Sequence, residues 1–330
     1  MQRSTRPLLW LAILAIPVAG VAFWLYTGYS AAWTSESKDI TAVVFFEHEG
    51  AWYAAASGHS ESTSEDSKTR QTRTSRYPHL STYRLTDGER VARRQYAPVY
   101  FRFSYVDDVV RALGAADGRL WAVSTDPEES LHALRPLDLE DAIPWTGLVE
   151  KAPALASGLF TKDGELPVWR GSSEDPFLLR LDSGAVVSLD LHTLAVKPAE
   201  GGLEVREGLN RSGGPRGDQR VEKAVEGRGD ALEAQVAWTI GASHEAGAPG
   251  VSYVVHQSGL DREKAHILVS RWDVGKDGPT KRWTTPVPEV KPDCCNRQAL
   301  RAGGQAVLWY EHWLIALDDE TGKLAWTRRL

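Results

Sequence analysis

Cys294 and Cys295 are the two cysteines of a 330-residue chain, and their adjacency sets what they can do. In an oxidising compartment the pair can close a vicinal disulfide ring, which strains the peptide bond between them. Its plainer role is a clip in the loop at residues 292–297. Two adjacent thiols with no nearby histidine fit neither of the usual tetrahedral zinc spacings. The nine histidines are dispersed, and His244-Glu245 lacks the second histidine that a zinc-protease helix places four residues from the first. Ser57-Gly58 and Gly171-Ser172 fall in no nucleophile elbow. Asp107-Asp108 and Asp318-Asp319 sit at strand ends and turns, where aspartate bonds its own backbone. Residues 273–278 (DVGKDG) lack the alternating ligands and distal glutamate of a calcium loop, and Asn210-Arg211-Ser212 fits a glycosylation sequon. These residues yield no assignment of catalytic, cofactor-binding or metal-ligating groups; Cys294 and Cys295 are the pair singled out.

The elements that would position such groups are easiest to read in residues 305–330, QAVLWYEHWLIALDDETGKLAWTRRL. Ala306, Leu308 and Tyr310 alternate with Val307 and Trp309, which predicts a strand over 305–311. Residues 313–318 are apolar on both faces, as in a strand buried on two sides. A turn follows with Gly322 at its positive-φ position. Leu324 and Trp326 then oppose Lys323, Thr327 and Arg329, the pattern of a half-exposed outer strand. Such a meander needs copies of itself to bury its faces. Its landmark is a Leu-Asp or equivalent, a polar turn, then a large apolar residue. It recurs at Leu85-Thr86-Asp87 before Val91, Leu137-Asp138 before Trp145, Leu189-Asp190 before Val196, Trp272-Asp273 before Trp283 and Leu317-Asp318 before Trp326. The intervals are 52, 52, 83 and 45 residues; a spacing of about 45–50 is the period of a propeller blade, and the 83-residue gap holds either one hidden blade or one long insertion.

Upstream strands are expected at 41–46, 52–56, 109–113, 120–124, 155–160, 166–169, 236–240 and 251–256, with a two-residue hairpin at Asp117-Gly118. Thirteen tryptophans against one methionine, with 17 prolines and 29 glycines, also favour many short β elements joined by turns. The expected fold is therefore all-β, a β-propeller of about five to seven four-stranded blades; a β-sandwich is the competing arrangement. A sequence pI of about 5.9 and a net charge of −6 set nucleic-acid binding aside.

Residues 7–26 are PLLWLAILAIPVAGVAFWLY, long enough at about 1.5 Å per residue to span the roughly 30 Å hydrocarbon core of a bilayer. Arg3 and Arg6 precede the run, so the positive-inside rule places the N-terminus in the cytoplasm and the body outside it. Residues 1–32 are read as a cytoplasmic stub with a transmembrane signal-anchor, and 33–330 as an extracytoplasmic domain. A cleaved signal peptide, with small residues Ser30 and Ala32 before Trp33, is the alternative. Within the body, residues 58–77 read as a disordered-looking, Ser/Thr-rich insertion with acids first and bases after. Residues 201–232 read as a polar loop.

The string LIALDDETGKLAW, residues 314–326, resembles the repeat of the pyrroloquinoline-quinone-type β-propellers, the family of quinoprotein alcohol dehydrogenases and of the outer-membrane assembly lipoprotein B. Residues 189–196 match it in part. The resemblance implies a propeller and, for the quinoprotein branch, pyrroloquinoline quinone and calcium, with a vicinal disulfide like Cys294–Cys295 beside the cofactor. The cofactor-stacking and calcium-ligand residues of those eight-bladed enzymes find no counterpart here, so no cofactor is expected. The reading that results is a membrane-anchored propeller acting as a non-catalytic binding or scaffold module for a protein partner. The alternative is a small quinoprotein-like oxidoreductase or other propeller enzyme.

Overall fold

The computed structural model describes residues 38–65, 72–101, 110–124, 131–158, 168–170, 177–199, 219–226, 237–244, 250–259, 261, 264–293 and 297–330. They form an all-β protein of five consecutive sheets. Sheet one runs β1 (Lys38–His48), β2 (Ala51–Glu65), β3 (Thr72–Arg84) and β4 (Arg90–Gln95), and β5 (Val99–Phe101) returns to pair with the start of β3. Sheet two is β6 (Val110–Ala116), β7 (Arg119–Ser124), β8 (Leu131–Leu134) and β9 (Asp141–Ile143). Sheet three is β10 (Val168–Arg170), β11 (Phe177–Arg180), β12 (Val186–Leu189) and β13 (Val196–Pro198). Sheet four is β14 (Ala237–His244), β15 (Val251–Gln257), β16 (Ile267–Gly275) and β17 (Gly278–Val287). Sheet five is β18 (Arg297–Ala302), β19 (Gln305–Tyr310), β20 (Trp313–Asp318) and β21 (Leu324–Arg329). Each is an antiparallel meander, and a parallel pairing of β14 with β18 joins sheets four and five.

The period-2 alternation decides which sheet meets which. In sheet five, Ala306, Leu308, Tyr310, Ile315 and Leu317 face sheet four, where Val251, Tyr253, Val255, Ile267 and Val269 meet them. The opposite face of the same strands, Val307, Trp309, Leu314 and Ala316, packs on Ile40, Val43, Ala54, Ala56 and Tyr83 of sheet one. The other face of sheet one, with Val44, Phe46, Tyr53, Ala55 and Leu80, meets Ala112, Leu120, Ala122 and Leu134 of sheet two. Trp121, Val123, Leu131 and Ala133 then carry sheet two onto Leu179, Val187 and Leu189 of sheet three. The packing order is three, two, one, five, four, so the last sheet lies against the first.

Four of the five third-to-fourth-strand turns share one backbone pattern. The N–H groups of Gly88, Leu139, Leu194 and Gly322 donate to the carbonyls of Arg84, Arg135, Asp190 and Asp318, and these four in turn donate to Glu89, Glu140, Ala195 and Lys323. The fifth residue of each turn has positive φ: 69°, 58°, 58° and 72°. Two side-chain chemistries stabilise the one geometry. In sheets one and two, Asp87 and Asp138 accept the N–H of Glu89 and Glu140 and are gripped by Arg84 and Arg135. In sheets three and five, Asp190 and Asp318 instead open the turn and accept the N–H of Thr193 and Thr321. Sheet four substitutes a two-residue hairpin, Lys276-Asp277, between Gly275 and Gly278.

The seams also share a device. Trp326 of β21 lies on Gly88 of sheet one, and Trp283 of β17 lies on Gly322 of sheet five, where an added Cβ would come within 2.7 and 2.5 Å of the rings. Glycine at these turns thus serves two ends, the positive φ and the close approach of an indole. Between sheets one and two the proportions reverse: Leu139 fills the turn position and packs with the smaller Val91 and Ala92.

Several expectations change. Residues 155–158 are not a strand, and 159–160 lie outside the described residues: Leu155 lies in a 3-10 turn, Pro153–Ser157, after helix α1 (Trp145–Lys151), and Leu148 and Leu155 plug the seam between sheets two and three. Pro153 favours the turn because its fixed φ suits the first helical position and it donates no N–H. The 201–232 loop contains helix α2 (Gln219–Glu226), whose Val221 is buried against Val254 and Trp272 of sheet four. The 58–77 insertion is strand over 58–65 and 72–77, with β2 paired to β3 as far as Glu65 and Thr72. Glu61 of β2 stands opposite Arg76 of β3 and bonds it, so at this pair charge complementarity takes the place of apolar burial. Asp117-Gly118 is the expected two-residue hairpin, with φ of 50° and 68°. No helix of the described residues is long and apolar enough to cross a membrane; the apolar run at 7–26 lies outside the described residues.

Candidate functional site

Two positions on β1 and β2 build an unusual polar cluster. Pairing between these strands runs in register from Glu47 and Trp52 to Ala42 and Ser57, then shifts between Ile40 and Ala42, leaving Thr41 as the extra residue of a bulge. Gly58 sits opposite, where a Cβ would lie 2.2 Å from the Asp39 carbonyl oxygen. The missing side chain lets the start of β1 close over β2. That closure brings Asp39 directly opposite His59, and the strand period places Glu61 on the same face, two residues on. Across the next pairing Arg76 stands opposite Glu61. Ser57 ties the arrangement to sheet two: its Oγ donates to the Ala42 carbonyl and accepts the N–H of Ala112, each at 3.3 Å.

His59 Nε2 is 3.5 Å from Asp39 Oδ2 and 3.5 Å from Glu61 Oε1, and Arg76 Nε donates to Glu61 Oε1 at 2.5 Å. The His59 side chain is 4% exposed and that of Asp39 55%. Burial, reinforced by the Arg76 charge, holds the His59 imidazole below its ordinary pKa, against the pull of the two carboxylates. Its Nε2 is buried without a hydrogen-bond partner. Asp39, His59 and Glu61 bring one donor atom each within 4.8 Å of one another, a constellation with metal-ligand chemistry. Asp39 and His59 are far apart in sequence, and His59 and Glu61 read there as part of a solvated stretch. The signal that could have found them is a histidine and a glutamate two apart, followed by a mirror-image run of bases.

A second buried charge cluster is closed by its own contacts. Asp319, 3% exposed, accepts Tyr253 Oη at 2.6 Å, Arg301 Nε at 2.5 Å and Arg271 Nη1 at 2.8 Å. Its carbonyl accepts Arg271 Nη1 at 2.7 Å and Trp283 Nε1 at 2.8 Å. Arg271 also reaches Asp273 at 2.9 Å, and Arg282 caps that carboxylate at 2.6 Å. Burial and the bond to Asp319 push the Tyr253 hydroxyl far above its ordinary pKa. The cluster bolts sheet four to the last turn of sheet five. Asp318 acts within its turn as expected, whereas Asp319 turns away from it.

The remaining sequence candidates divide plainly. Cys294 and Cys295, Asp107 and Asp108, the sequon at 210–212 and Gly171-Ser172 lie outside the described residues. The backbone before the cysteines is held at Asp293, whose N–H donates to Tyr310 Oη and whose carbonyl accepts the same hydroxyl, at 2.7 and 2.5 Å. Asp273 serves ion pairs within sheet four.

No protein-family model matches the chain, and no curated protein matches it. Among solved structures, the crystal structure of the V. cholerae biofilm matrix protein Bap1 aligns at 9% identity over 87% of this chain and 55% of that one, with a TM-score of 0.13. The chain thus spans little more than half of that protein, and at this score the likeness carries no argument.

Proposed function

We propose that the five sheets are the blades of a propeller built from PQQ-type repeats, held outside the cytoplasm by the apolar segment at 7–26, and that the body is a binding or scaffold module. The observation that carries the architecture is sheet five, whose two faces pack on sheet four and on sheet one. The tryptophan-on-glycine contact recurring at both of those seams supports the same reading. In this reading the seam between sheets five and one rests on side-chain packing: β1 pairs with β2, and Ile40 and Val43 reach sheet five through their side chains. The binding role is supported by how the repeated aspartates are spent, on turns and on the bolt between sheets. A propeller leaves its loop ends to recognition.

Two measurements test the proposal. External or periplasmic protease applied to cells or spheroplasts should digest the body of the full chain; complete protection would overturn the location. Crosslinking in intact cells should give one dominant protein adduct; a chain that stays uncrosslinked while turning over a quinone-dependent substrate would favour the enzyme alternative.

A further inference from the structure

We propose that Asp39, His59 and Glu61 form a binding site for a divalent first-row transition-metal ion such as zinc, seated on the face of sheet one that turns toward sheet two. The first ground is the His59 Nε2 atom, buried without a hydrogen-bond partner and aimed between two carboxylates. A buried polar atom left unsatisfied costs about 1–3 kcal/mol. A cation is the partner that satisfies an imidazole nitrogen and two carboxylate oxygens at once.

The second ground is spacing. Donors about 2.1 Å from a tetrahedral metal lie about 3.4 Å from one another. The His59–Asp39 and His59–Glu61 separations are both 3.5 Å, so two edges of the coordination figure are already set. The third ground is support: the bulge at Thr41 and the bare Gly58 fix the approach of Asp39, and Arg76 holds the Glu61 carboxylate. Ligating carboxylates are commonly oriented in this way by a further hydrogen-bonding group.

One imidazole and two carboxylates suit zinc, manganese or iron(II); calcium and magnesium prefer six or more oxygen donors. Three protein donors leave a fourth position for water or an incoming ligand, and the exposed Asp39 marks the side from which an ion enters. The competing arrangement is an ion-pair cluster in which protonated His59 bridges the two carboxylates and no metal is taken up.

The test is a titration of the chelator-stripped full chain with Co²⁺, followed by visible absorption, with Zn²⁺ as competitor and Mg²⁺ in excess throughout. It is run on the natural chain and in a Cys294→Ser, Cys295→Ser background, so that thiolate uptake is not counted. The expected result is one ion per chain in both, displaced by Zn²⁺ and unaffected by Mg²⁺. His59→Ala should weaken binding about 100-fold and Asp39→Asn at least about tenfold. If His59→Ala fails to fold, Asp39→Asn decides, because that side chain is half exposed and its variant should keep the native circular dichroism. Absence of stoichiometric Co²⁺ uptake in the natural chain would overturn the proposal, as would uptake unchanged by Asp39→Asn in a folded protein.

Discussion

Asp319 and His59 are both buried polar groups flanked by arginine and carboxylate, yet their surroundings differ in one respect. Every oxygen of Asp319 in the bolt between sheets four and five is taken, by Tyr253, Arg271, Arg301 and Trp283. His59, between Asp39 and Glu61, has a nitrogen that nothing meets at hydrogen-bonding distance. Burying charge is tolerable when each charge is paired and bonded. A closed network therefore reads as structure, and an open one as a place held ready for something else. If that distinction is sound, the two clusters respond to mutation in opposite ways.

The largest effect belongs to the closed cluster. Asp319→Ala strands Arg271 and Arg301 without their shared partner, and breaking a buried pair costs about 3–5 kcal/mol. Urea unfolding of the full chain should show that loss as a lower midpoint, at any metal concentration. A change below about 1 kcal/mol would mean that the bolt is ornamental, and the comparison would fail on its firmer side.

Next comes Gly322→Ala. It forces a side chain into positive φ and drives a Cβ to 2.5 Å from the Trp283 ring, displacing the indole that donates to the Asp319 carbonyl. The strain alone is worth about 1–3 kcal/mol. Gly118→Ala is the control, with φ of 68° and open space around it. Thermal denaturation should show the Gly322 variant clearly the less stable of the two. Equal losses would mean that indole packing adds nothing to the seam.

Much of this was legible in the chain. The alternation in residues 305–311 and the unbroken apolar run at 313–318 anticipated a sheet packed on both faces, because a strand buried on both sides must be apolar at both parities. The turns were legible because aspartate, threonine and glycine have few other uses at such spacing. What the chain hid was the exchange of roles between positions: Arg84 with Asp87 does what Asp318 with Thr321 does, and the repeat is clearer in backbone bonds than in letters. The strand pairing of residues 58–65 with 72–77 was hidden for another reason. That pairing is held by register and, at Glu61 and Arg76, by opposed charge, and a reading that weighs apolar content passes over it. The cluster at His59 was hidden with it, since the bulge at Thr41 is what brings Asp39 across.

A smaller effect separates the clusters by pH. Burial raises the Asp273 carboxyl, but hydrogen bonds from Arg282 and Arg271 outweigh it and hold the group below its ordinary range. A depressed carboxylate contributes stability above the unfolded value, about 3.9, and loses it as the pH falls through the folded one. Asp273→Asn should therefore lie below the natural chain at pH 7, with the gap closing as the pH is lowered past about 4. A gap that stayed constant with pH would show that the loss comes from packing and not from the ion pairs.

The smallest effect is the most telling for the open cluster. Asp39→Asn keeps the shape of a half-exposed side chain and removes a charge that lies 3.5 Å from His59 Nε2, too far for a good hydrogen bond. In metal-free buffer the variant should unfold within about 0.5 kcal/mol of the natural chain, as surface substitutions usually do. Adding Zn²⁺ should then separate the two proteins. The natural chain gains stability with ion concentration, since a ligand that binds the folded state stabilises it by mass action, while the variant lags. A structural salt bridge predicts the reverse, with a loss already present in metal-free buffer and no response to Zn²⁺. The sign of that difference decides whether the carboxylates around His59 await an ion or simply hold a charged imidazole in place.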